Sequence, residues 1–256
     1  MCAQALLNRY LKEYFPLDSV ISEEDSGSVK DALKMIKLCN NFLPNDLQFA
    51  NEAEFVDCLD WNPRHPTRRW TIDPIDGTKG YLRNDQYAIC IALLENNIPI
   101  FSVLGCPNLD SGKIFYAEKH KGSYEASLDS LQFTPIHCDP NSKVLCRSVE
   151  TGHGDMDKVS QVSRRINFAT CQMDSQCKYV MVATGRAGLY LRYSCTGTVE
   201  KIWDHAPGYL LVLEAGGTVC DENGKEIDFS SNRLISNSGV LSSSNADVLK
   251  FITKNA

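Results

Sequence analysis

Asp73-Pro74-Ile75-Asp76-Gly77-Thr78 is the stretch around which this 256-residue chain is organised. Residues 69–72, immediately before it, form a short apolar run with the character of a β-strand. Both carboxylates are therefore expected at a strand's C-terminal end, facing one point. Pro74 fixes its own φ and keeps Asp73 out of the α region, which holds the turn without distant contacts. Gly77 lets the backbone approach a ligand closely.

The same stretch predicts a site for a metal ion and a phosphate group. If a helix begins at Thr78, the free N–H groups of its first turn and its positive dipole end meet a phosphate that the carboxylates alone would repel. A cation bound between the carboxylates and the phosphate would offset their repulsion. Because ionised aspartate is a hard oxygen ligand, we expect this cation to be Mg²⁺. The alternative interpretation is an Asx-turn followed by a helix cap, which any D-x-x-D-G sequence permits.

Two distant acidic segments favour the metal site over a simple cap. Residues 21–27 place Glu23 in an acidic cluster at the end of a short apolar run. Asp204 precedes the apolar stretch 209–215, where we expect it to be the N-cap of a helix that tolerates Pro207 in its first turn. Three acidic loci at the ends of elements fit one multi-metal phosphoesterase site better than three unrelated caps.

These motifs, in this order, resemble the inositol monophosphatase superfamily of Mg²⁺-dependent, lithium-sensitive phosphatases. Within it, the chain looks like the 3′(2′),5′-bisphosphate nucleotidases of plants and yeasts, which hydrolyse 3′-phosphoadenosine 5′-phosphate to AMP. The resemblance implies an α/β (α+β) fold, a layered α/β/α/β/α sandwich of the inositol monophosphatase and fructose-1,6-bisphosphatase type. The motifs that carry the narrower likeness span nearly the whole chain: 76–83 (DGTKGYLR), 105–109 (GCPNL), 174–179 (DSQCKY), 190–192 (YLR) and 200–205 (EKIWDH).

The resemblance also implies a role for each matching position. The implied metal ligands are Glu23, Asp73, the carbonyl of Ile75, Asp76 and Asp204. Asp76 and Thr78 are the implied catalytic residues. The implied substrate contacts are Gly77, Thr78, His153, Ser175, Lys178, Arg192, Lys201 and Asp204. Lys178 and Arg192 can neutralise a second phosphate. Taken alone, each of these cations is as readily a solvated surface residue.

The start of the chain departs from the family pattern. In relatives, a helical region precedes an acidic residue that pairs with the threonine of the D-G-T motif to activate the attacking water. Residues 1–7 look like the helix that follows that acidic residue, with Leu11 and Tyr14 on its apolar face before Pro16 stops it. We therefore expect the fold to lack its first helical segment. We also expect Thr78 to lack its usual partner, which weakens proton removal from water.

Composition and length are typical of an intracellular enzyme. A chain with 43% hydrophobic residues can bury the core of two subdomains, predicted at 1–130 with the metal motifs and at 140–256 with the nucleotide contacts and the last metal ligand. A net charge of −6 argues against a nucleic-acid partner. It is compatible with a small phosphorylated nucleotide or inositol phosphate, because bound metal carries the local positive charge.

The sequence contains no pattern typical of a membrane partner, of a disulfide framework or of a zinc site. The chain has no 18-residue apolar run and no leader pattern, so the cytoplasm is the default compartment, and any organelle signal would lie upstream. The 11 cysteines are scattered and contain no C-x-x-C pair, which predicts reduced thiols.

The predicted reaction is in-line, Mg²⁺-dependent removal of the 3′(2′)-phosphate from 3′(2′)-phosphoadenosine 5′-phosphate, with 3′-phosphoadenosine 5′-phosphosulfate as a further substrate. One open alternative is an inositol polyphosphate 1-phosphatase, which differs around Ser175, Lys178 and Arg192. Another is a nucleotide-binding protein with little or no turnover, and whether Glu24 or Asp25 replaces the water-activating acid is left open.

Hydrophobic periodicity predicts the order of elements. Helices are expected at 2–15, 28–43 and 49–60, ahead of the motif strand. Strands are expected at 86–95, 98–105, 113–118 and 122–126, with Asn96-Asn97 as a hairpin turn between the first two. After a polar stretch, 127–142, strands and helices alternate to the C-terminus.

Overall fold

The computed structural model describes residues 1–150, 155–193, 200–231 and 239–254. Its helices and sheets alternate in five layers, which confirms the predicted α/β/α/β/α sandwich. No helix among these residues is long and apolar enough to cross a membrane. The cysteines in the same ranges are free thiols, and most of them are buried.

The first layer contains α1 (Cys2–Tyr14), α2 (Ala32–Asn40) and α3 (Glu52–Leu59). The second and third helices begin later than hydrophobicity alone predicts, because side chains cap them. Asp31 accepts from the Lys34 N–H at 3.0 Å, and Asn51 accepts from the Glu54 N–H at 2.9 Å. The Glu54 carboxylate also accepts from the backbone N–H of Ala50, the residue before the N-cap, at 2.8 Å.

The buried face of α1 differs from the predicted one. Tyr14, predicted on the apolar face, is 67% exposed, whereas Gln4 and Asn8 are fully buried. Both amides bond to backbone on neighbouring segments: Asn8 donates to the Cys58 carbonyl at 2.9 Å, and Gln4 donates to the Glu24 carbonyl at 2.8 Å. The predicted apolar face was wrong because it was based on hydrophobic residues alone, whereas amide side chains can be buried when they form hydrogen bonds with backbone groups.

The first sheet has seven strands that pair in chain order. They are β1 (Ser19–Ser22), β2 (Arg68–Asp76), β3 (Ala88–Glu95), β4 (Ile98–Cys106), β5 (Lys113–Glu118), β6 (Gly122–Ser127) and β7 (Thr134–Ile136). Strands β1 and β2 are parallel, and the other pairs are antiparallel. Asn96 and Asn97 turn between β3 and β4 with φ of 50° and 67°, as their position predicts.

Two helices separate this sheet from a second, five-stranded sheet. The middle helices are α6 (Cys177–Ala183) and α7 (Ala206–Glu214). The second sheet has the order β11-β12-β10-β8-β9. Its strands are β8 (Val144–Ser148), β9 (Ala169–Met173), β10 (Leu189–Arg192), β11 (Thr218–Cys220) and β12 (Val240–Ser243). Helices α5 (Met156–Ile166) and α8 (Ala246–Thr253) cover its outer face.

Alternation along β10 shows how the layers share the core. Tyr190 packs toward the middle helices in the main hydrophobic cluster, while Leu189 and Leu191 pack toward α5 and α8. The main cluster also contains residues of β3, β4 and β5, so it joins both sheets through α6 and α7. The middle helices are consequently fixed on both sides, which makes them a rigid support for side chains at their N-terminal ends.

The topology brings the acidic motifs to one place. Because β1 and β2 run parallel and Ser22 pairs with Ile72, the next residues, Glu23 and Asp73, lie side by side at the C-terminal end of β1. The Glu23 N–H donates to the Ile72 carbonyl at 3.2 Å. The register of β2 against β3 shifts between Asp73 and Asp76, where the chain turns toward the short helix α4 (Thr78–Leu82).

Asp204 is not the N-cap that the sequence predicts. It ends a 3₁₀ turn, Ile202–Asp204, and His205 occupies the N-cap of α7 without a side-chain cap bond. Pro207 does lie in the first turn of α7, as expected. The prediction was wrong because the extra 3₁₀ turn moves the helix start one residue along and leaves the Asp204 carboxylate on the wall of a cavity.

Candidate active site

A cavity of about 280 Å³ opens where the end of β2, the start of α4 and the N-terminal end of α6 meet the loop before α7. Most of the predicted site residues line it: Glu23, Asp73, Ile75, Asp76, Gly77, Thr78, Ser175, Lys178, Arg192 and Asp204. Lys201 does not line it, and His153 lies outside the described residues. Segments far apart in the chain thus converge on one chamber.

A cluster of carboxyl groups lines this cavity. Asp73, Asp76 and Asp204 each offer an oxygen within 4.8 Å of the others. Glu23 lines the same cavity, and burial raises the pKa of its carboxyl group. Burial raises the pKa of Asp73 far above its usual range, and the neighbouring charges of Asp76 and Glu23 raise it further. Burial raises the pKa of Asp204 to about 6.

The donor set fits a hard divalent cation. The clustered groups are all carboxyl oxygens, and such a concentration of negative charge is stable only with bound protons or a cation. Two basic side chains face the cluster. Lys178 and Arg192 both lower the pKa of Asp76, although burial outweighs them and the net shift is upward. Arg192 is also paired with the Glu200 carboxylate at 2.8 Å.

A second group of possible ligands is satisfied within the protein. Glu200 accepts from Arg192 at 2.8 and 3.1 Å and contacts His205 Nε2 at 3.0 Å. His205 Nδ1 lies 2.8 Å from the Tyr179 hydroxyl. Burial favours the neutral carboxyl, but the bonds and charges of His205 and Arg192 outweigh it and lower the pKa of Glu200 to about 2. This network supports the wall that carries Asp204.

The D-P-I-D-G-T turn combines both of the structures that the sequence permits. Asp73 Oδ1 accepts from the Ile75 N–H at 3.0 Å, which is an Asx-turn, and the same carboxyl group faces the cluster. Gly77 adopts φ of +82° at the N-cap of α4. A Cβ there would lie 2.8 Å from the Ser175 Cβ, so only glycine permits this approach of α4 to the segment before α6.

The Thr78 hydroxyl is placed without a carboxylate partner among the described residues. It donates to the Ile75 carbonyl at 3.3 Å. Asp25 instead caps a 3₁₀ turn by accepting from the Gly27 N–H at 3.0 Å, and Glu24 lines a different cavity. Neither of the two acids considered as substitutes is therefore bonded to Thr78 in this structure.

Further polar residues on the rim were not assigned by sequence reasoning. Glu150 accepts from Lys79 at 3.1 Å and from Arg83 at 2.5 Å, and Arg83 also donates to buried Asp174 at 2.5 Å. These bonds join α4 to β8 and to the segment before α6. Lys79, Arg83 and Asp174 are charged residues within the motifs 76–83 and 174–179, and their position there could have indicated a contact at the site. Glu150 lies in none of the motifs, so the sequence contains no such indication for it.

Gln4 makes another contact near the site that the sequence did not predict. Besides donating to the Glu24 carbonyl, it accepts from the Glu24 N–H at 3.1 Å. The buried side chain therefore holds both backbone groups of the residue next to Glu23. A polar residue at an otherwise buried helical position was the only sequence signal for this contact.

The pKa shifts predict how stability depends on pH when metal is removed. The carboxyl pKa values of Asp73, Asp76 and Glu23 are all raised by burial in the folded state. The folded protein therefore binds more protons than the unfolded chain above the ordinary carboxyl range, and its stability falls as pH rises, by about 1.4 kcal/mol per pH unit for each such proton. Thermal unfolding in chelator across the neutral range measures this slope.

Asp73→Asn is the comparison for that pH experiment. This variant lacks one of the shifted groups, so its stability should fall less steeply with pH than that of the native sequence. Parallel curves for the two proteins would show that Asp73 is already ionised in the metal-free fold.

The comparisons with known proteins agree with the fold. A family model described as "Inositol monophosphatase family" matches residues 1–253, so the chain belongs to the inositol monophosphatase family. The 3′(2′),5′-bisphosphate nucleotidase of Schizosaccharomyces pombe is 35% identical over 272 aligned residues, covering 93% of this chain and 77% of the relative. The protein of the same name from Dictyostelium discoideum is 38% identical over 265 residues, covering 94% and 79%.

The fold is also found among solved structures. An IMPase/NADP phosphatase complexed with Mg²⁺ and phosphate matches with a TM-score of 0.63 at 18% identity, over 97% of this chain and 78% of that one. At this level of identity, the likeness shows a shared fold and no more.

Proposed function

We propose that this chain is a metal-dependent phosphatase that removes the 3′(2′)-phosphate from 3′(2′)-phosphoadenosine 5′-phosphate to give AMP. The observation that carries the proposal is one cavity in which the Asp73, Asp76 and Asp204 cluster faces Lys178 and Arg192. Clustered carboxylates suit a metal-assisted attack on one phosphate, and the cations suit a second anionic group on the same molecule. Relatives above 30% identity are named for this activity.

The metal is proposed to be Mg²⁺, held by Glu23, Asp73, the Ile75 carbonyl, Asp76 and Asp204. Each of these residues lines the cavity. When bound, the ion supplies concentrated positive charge that lowers the pKa of an attacking water and stabilises the leaving 3′-oxygen. The hard carboxylate set and the Mg²⁺ in the solved structure of similar fold support this choice of ion.

The remaining side chains bind and orient the substrate. Gly77 and Thr78 hold the phosphate that is removed, where the backbone turns into α4. Lys178 is 6% exposed and uses one N–H on the Ser175 carbonyl at 2.6 Å, so its other N–H groups can reach a second phosphate. Arg192 supports the same charge, and Ser175, held at φ of 58°, presents its side chain to the nucleoside. His153 and Lys201 remain proposed nucleotide contacts on the resemblance alone.

A second candidate is a nucleotide-binding protein with slow turnover. The observation that favours it is the Thr78 hydroxyl, which bonds to the Ile75 carbonyl and not to a carboxylate among the described residues. General-base assistance contributes about 10²- to 10⁴-fold to a proton-transfer step. Tight Mg²⁺-dependent binding of 3′-phosphoadenosine 5′-phosphate, without release of phosphate, would favour this candidate.

The substrate class is tested by a panel of phosphate esters. The turnover of 3′-phosphoadenosine 5′-phosphate, 3′-phosphoadenosine 5′-phosphosulfate and inositol 1,4-bisphosphate is measured under identical Mg²⁺ conditions. The proposal predicts the highest kcat/KM for the adenosine bisphosphate. A preference for the inositol bisphosphate would instead identify an inositol polyphosphate 1-phosphatase.

Lithium gives a further prediction for the metal geometry. A small monovalent cation can replace one divalent ion among the carboxylates but stabilises a departing oxyanion poorly, so activity should fall in millimolar lithium and much less in potassium. Initial rates in matched chloride salts measure the difference. Equal inhibition by both salts would indicate an ionic-strength effect and would contradict the proposed geometry.

A further inference from the structure

Gln176 connects parts of the site that no short segment of chain joins. Its side chain is buried, with 2% of the residue exposed. Its backbone N–H donates to the Asp76 carboxylate at the end of β2. The side-chain Nε2 donates to the Trp203 carbonyl at 2.8 Å, and Oε1 accepts from the Gly208 N–H at 3.0 Å.

The two side-chain partners enclose Asp204. Trp203 is the residue before it, and Gly208 lies in the first turn of α7. The N-cap residue of α7 makes no side-chain cap bond, and Pro207 has no N–H. The Gln176 amide therefore supplies the acceptor that this helix start lacks, while it also fixes the carbonyl on the other side of Asp204.

Close packing of the two middle helices makes this bridge possible. A Cβ on Gly208 would lie 2.3 Å from the Tyr179 ring, one turn along α6 from Gln176. Glycine at this position lets α7 approach α6 so closely that one amide reaches both ends of the Asp204 segment. The hydrogen bonds of Gln176 therefore connect the Asp76 carboxylate to the loop that carries Asp204.

We propose that Gln176 is a positioning residue that sets the separation between Asp76 and Asp204 and thereby the affinity of the cavity for divalent metal. The catalytic consequence rests on the proposed phosphatase function, whereas the effect on metal affinity does not. Residues that orient metal ligands typically change metal affinity by about 10- to 100-fold when they are altered.

The test is Gln176→Met, which keeps the length of the side chain and removes both of its hydrogen bonds. Binding of Mn²⁺ alone is measured by electron paramagnetic resonance, without nucleotide. We expect affinity to fall by about 10- to 100-fold. In turnover assays at saturating Mg²⁺, the KM for 3′-phosphoadenosine 5′-phosphate should stay within about 3-fold of the native value, because uniform substrate binding is not altered.

Asn8→Leu provides a matched control. Asn8 is also a fully buried amide with two side-chain bonds to backbone, at 2.9 and 3.2 Å, but it does not line the cavity. It should lower thermal stability to a similar degree while leaving Mn²⁺ affinity within about 2-fold of the native value, because its bonds hold no metal ligand. Gln176→Asn, an amide too short to reach both partners, should also weaken Mn²⁺ binding and replaces the Met variant if that protein does not fold.

Two results would overturn the inference. One is native Mn²⁺ affinity in a folded Gln176 variant, and the other is an equal loss of affinity in Asn8→Leu at matched stability. Failure of the native protein to hydrolyse the nucleotide would count against the proposed function only, since the Mn²⁺ measurement needs no substrate.

Discussion

Asp76→Asn should remove most of the turnover while leaving the fold intact, and it should raise the melting temperature of the metal-free protein. Asp76 lies within the cluster of Asp73 and Asp204, and its pKa is raised by burial despite Lys178 and the Gln176 N–H. An amide of the same volume removes like-charge repulsion but provides a weaker metal ligand. We expect kcat/KM to fall roughly 10³-fold, which corresponds to about 4 kcal/mol of transition-state stabilisation.

Phosphate release and thermal unfolding in chelator measure the two effects of Asp76→Asn separately. Asp31→Asn is the control, because Asp31 is an aspartate that caps α2 far from the cavity, by accepting from the Lys34 N–H. It should keep full activity. An Asp76→Asn protein with near-native Mg²⁺-dependent activity would contradict the proposed role of this carboxylate.

Lys178→Met should lower kcat/KM for the adenosine bisphosphate by about 10²-fold, because the variant lacks the buried cation that we propose binds the second phosphate. Lys178 lies in the cavity, and burial lowers its pKa while the charge of Asp76 opposes that shift. The loss should be much smaller for 3′-AMP, which has no second phosphate. Kinetics with the two nucleotides measure this difference.

Lys158→Met serves as the control for the loss of one positive charge. Lys158 pairs with Glu222 at 3.3 Å and does not line the cavity, so its removal should leave both kcat/KM values near the native level. An equal loss for both nucleotides in Lys178→Met would show that Lys178 supports the carboxylate cluster and does not discriminate the second phosphate.

Local sequence determined much of what could be predicted about the fold. The strand, the turn and the helix start around Asp73, Gly77 and Thr78 depend on neighbouring residues, and the structure contains all three. The same holds for the hairpin at Asn96-Asn97. Helix limits were less accurate, because caps such as Asp31 override the hydrophobic period at helix ends.

Contacts between distant residues were beyond prediction from one sequence. The bond from Gln176 to Asp76 spans 100 residues, and the ion pair of Lys79 with Glu150 spans 71. Neither has a local pattern. The first depends on how α6 packs against the first sheet, and the second depends on how α4 lies against the segment that follows β8. Asp204 shows the same limit. Its acidic side chain indicated the site, but the prediction that it caps α7 was wrong, because a 3₁₀ turn precedes the helix and His205 is the N-cap.

The most direct test of the account is release of phosphate from 3′-phosphoadenosine 5′-phosphate by the purified 256-residue protein, followed as Mg²⁺ is added to chelator-treated enzyme. We expect no release in chelator, recovery of activity with Mg²⁺, and AMP as the nucleotide product. Release of phosphate that is independent of divalent metal, or binding of the nucleotide without any release in Mg²⁺, would contradict it.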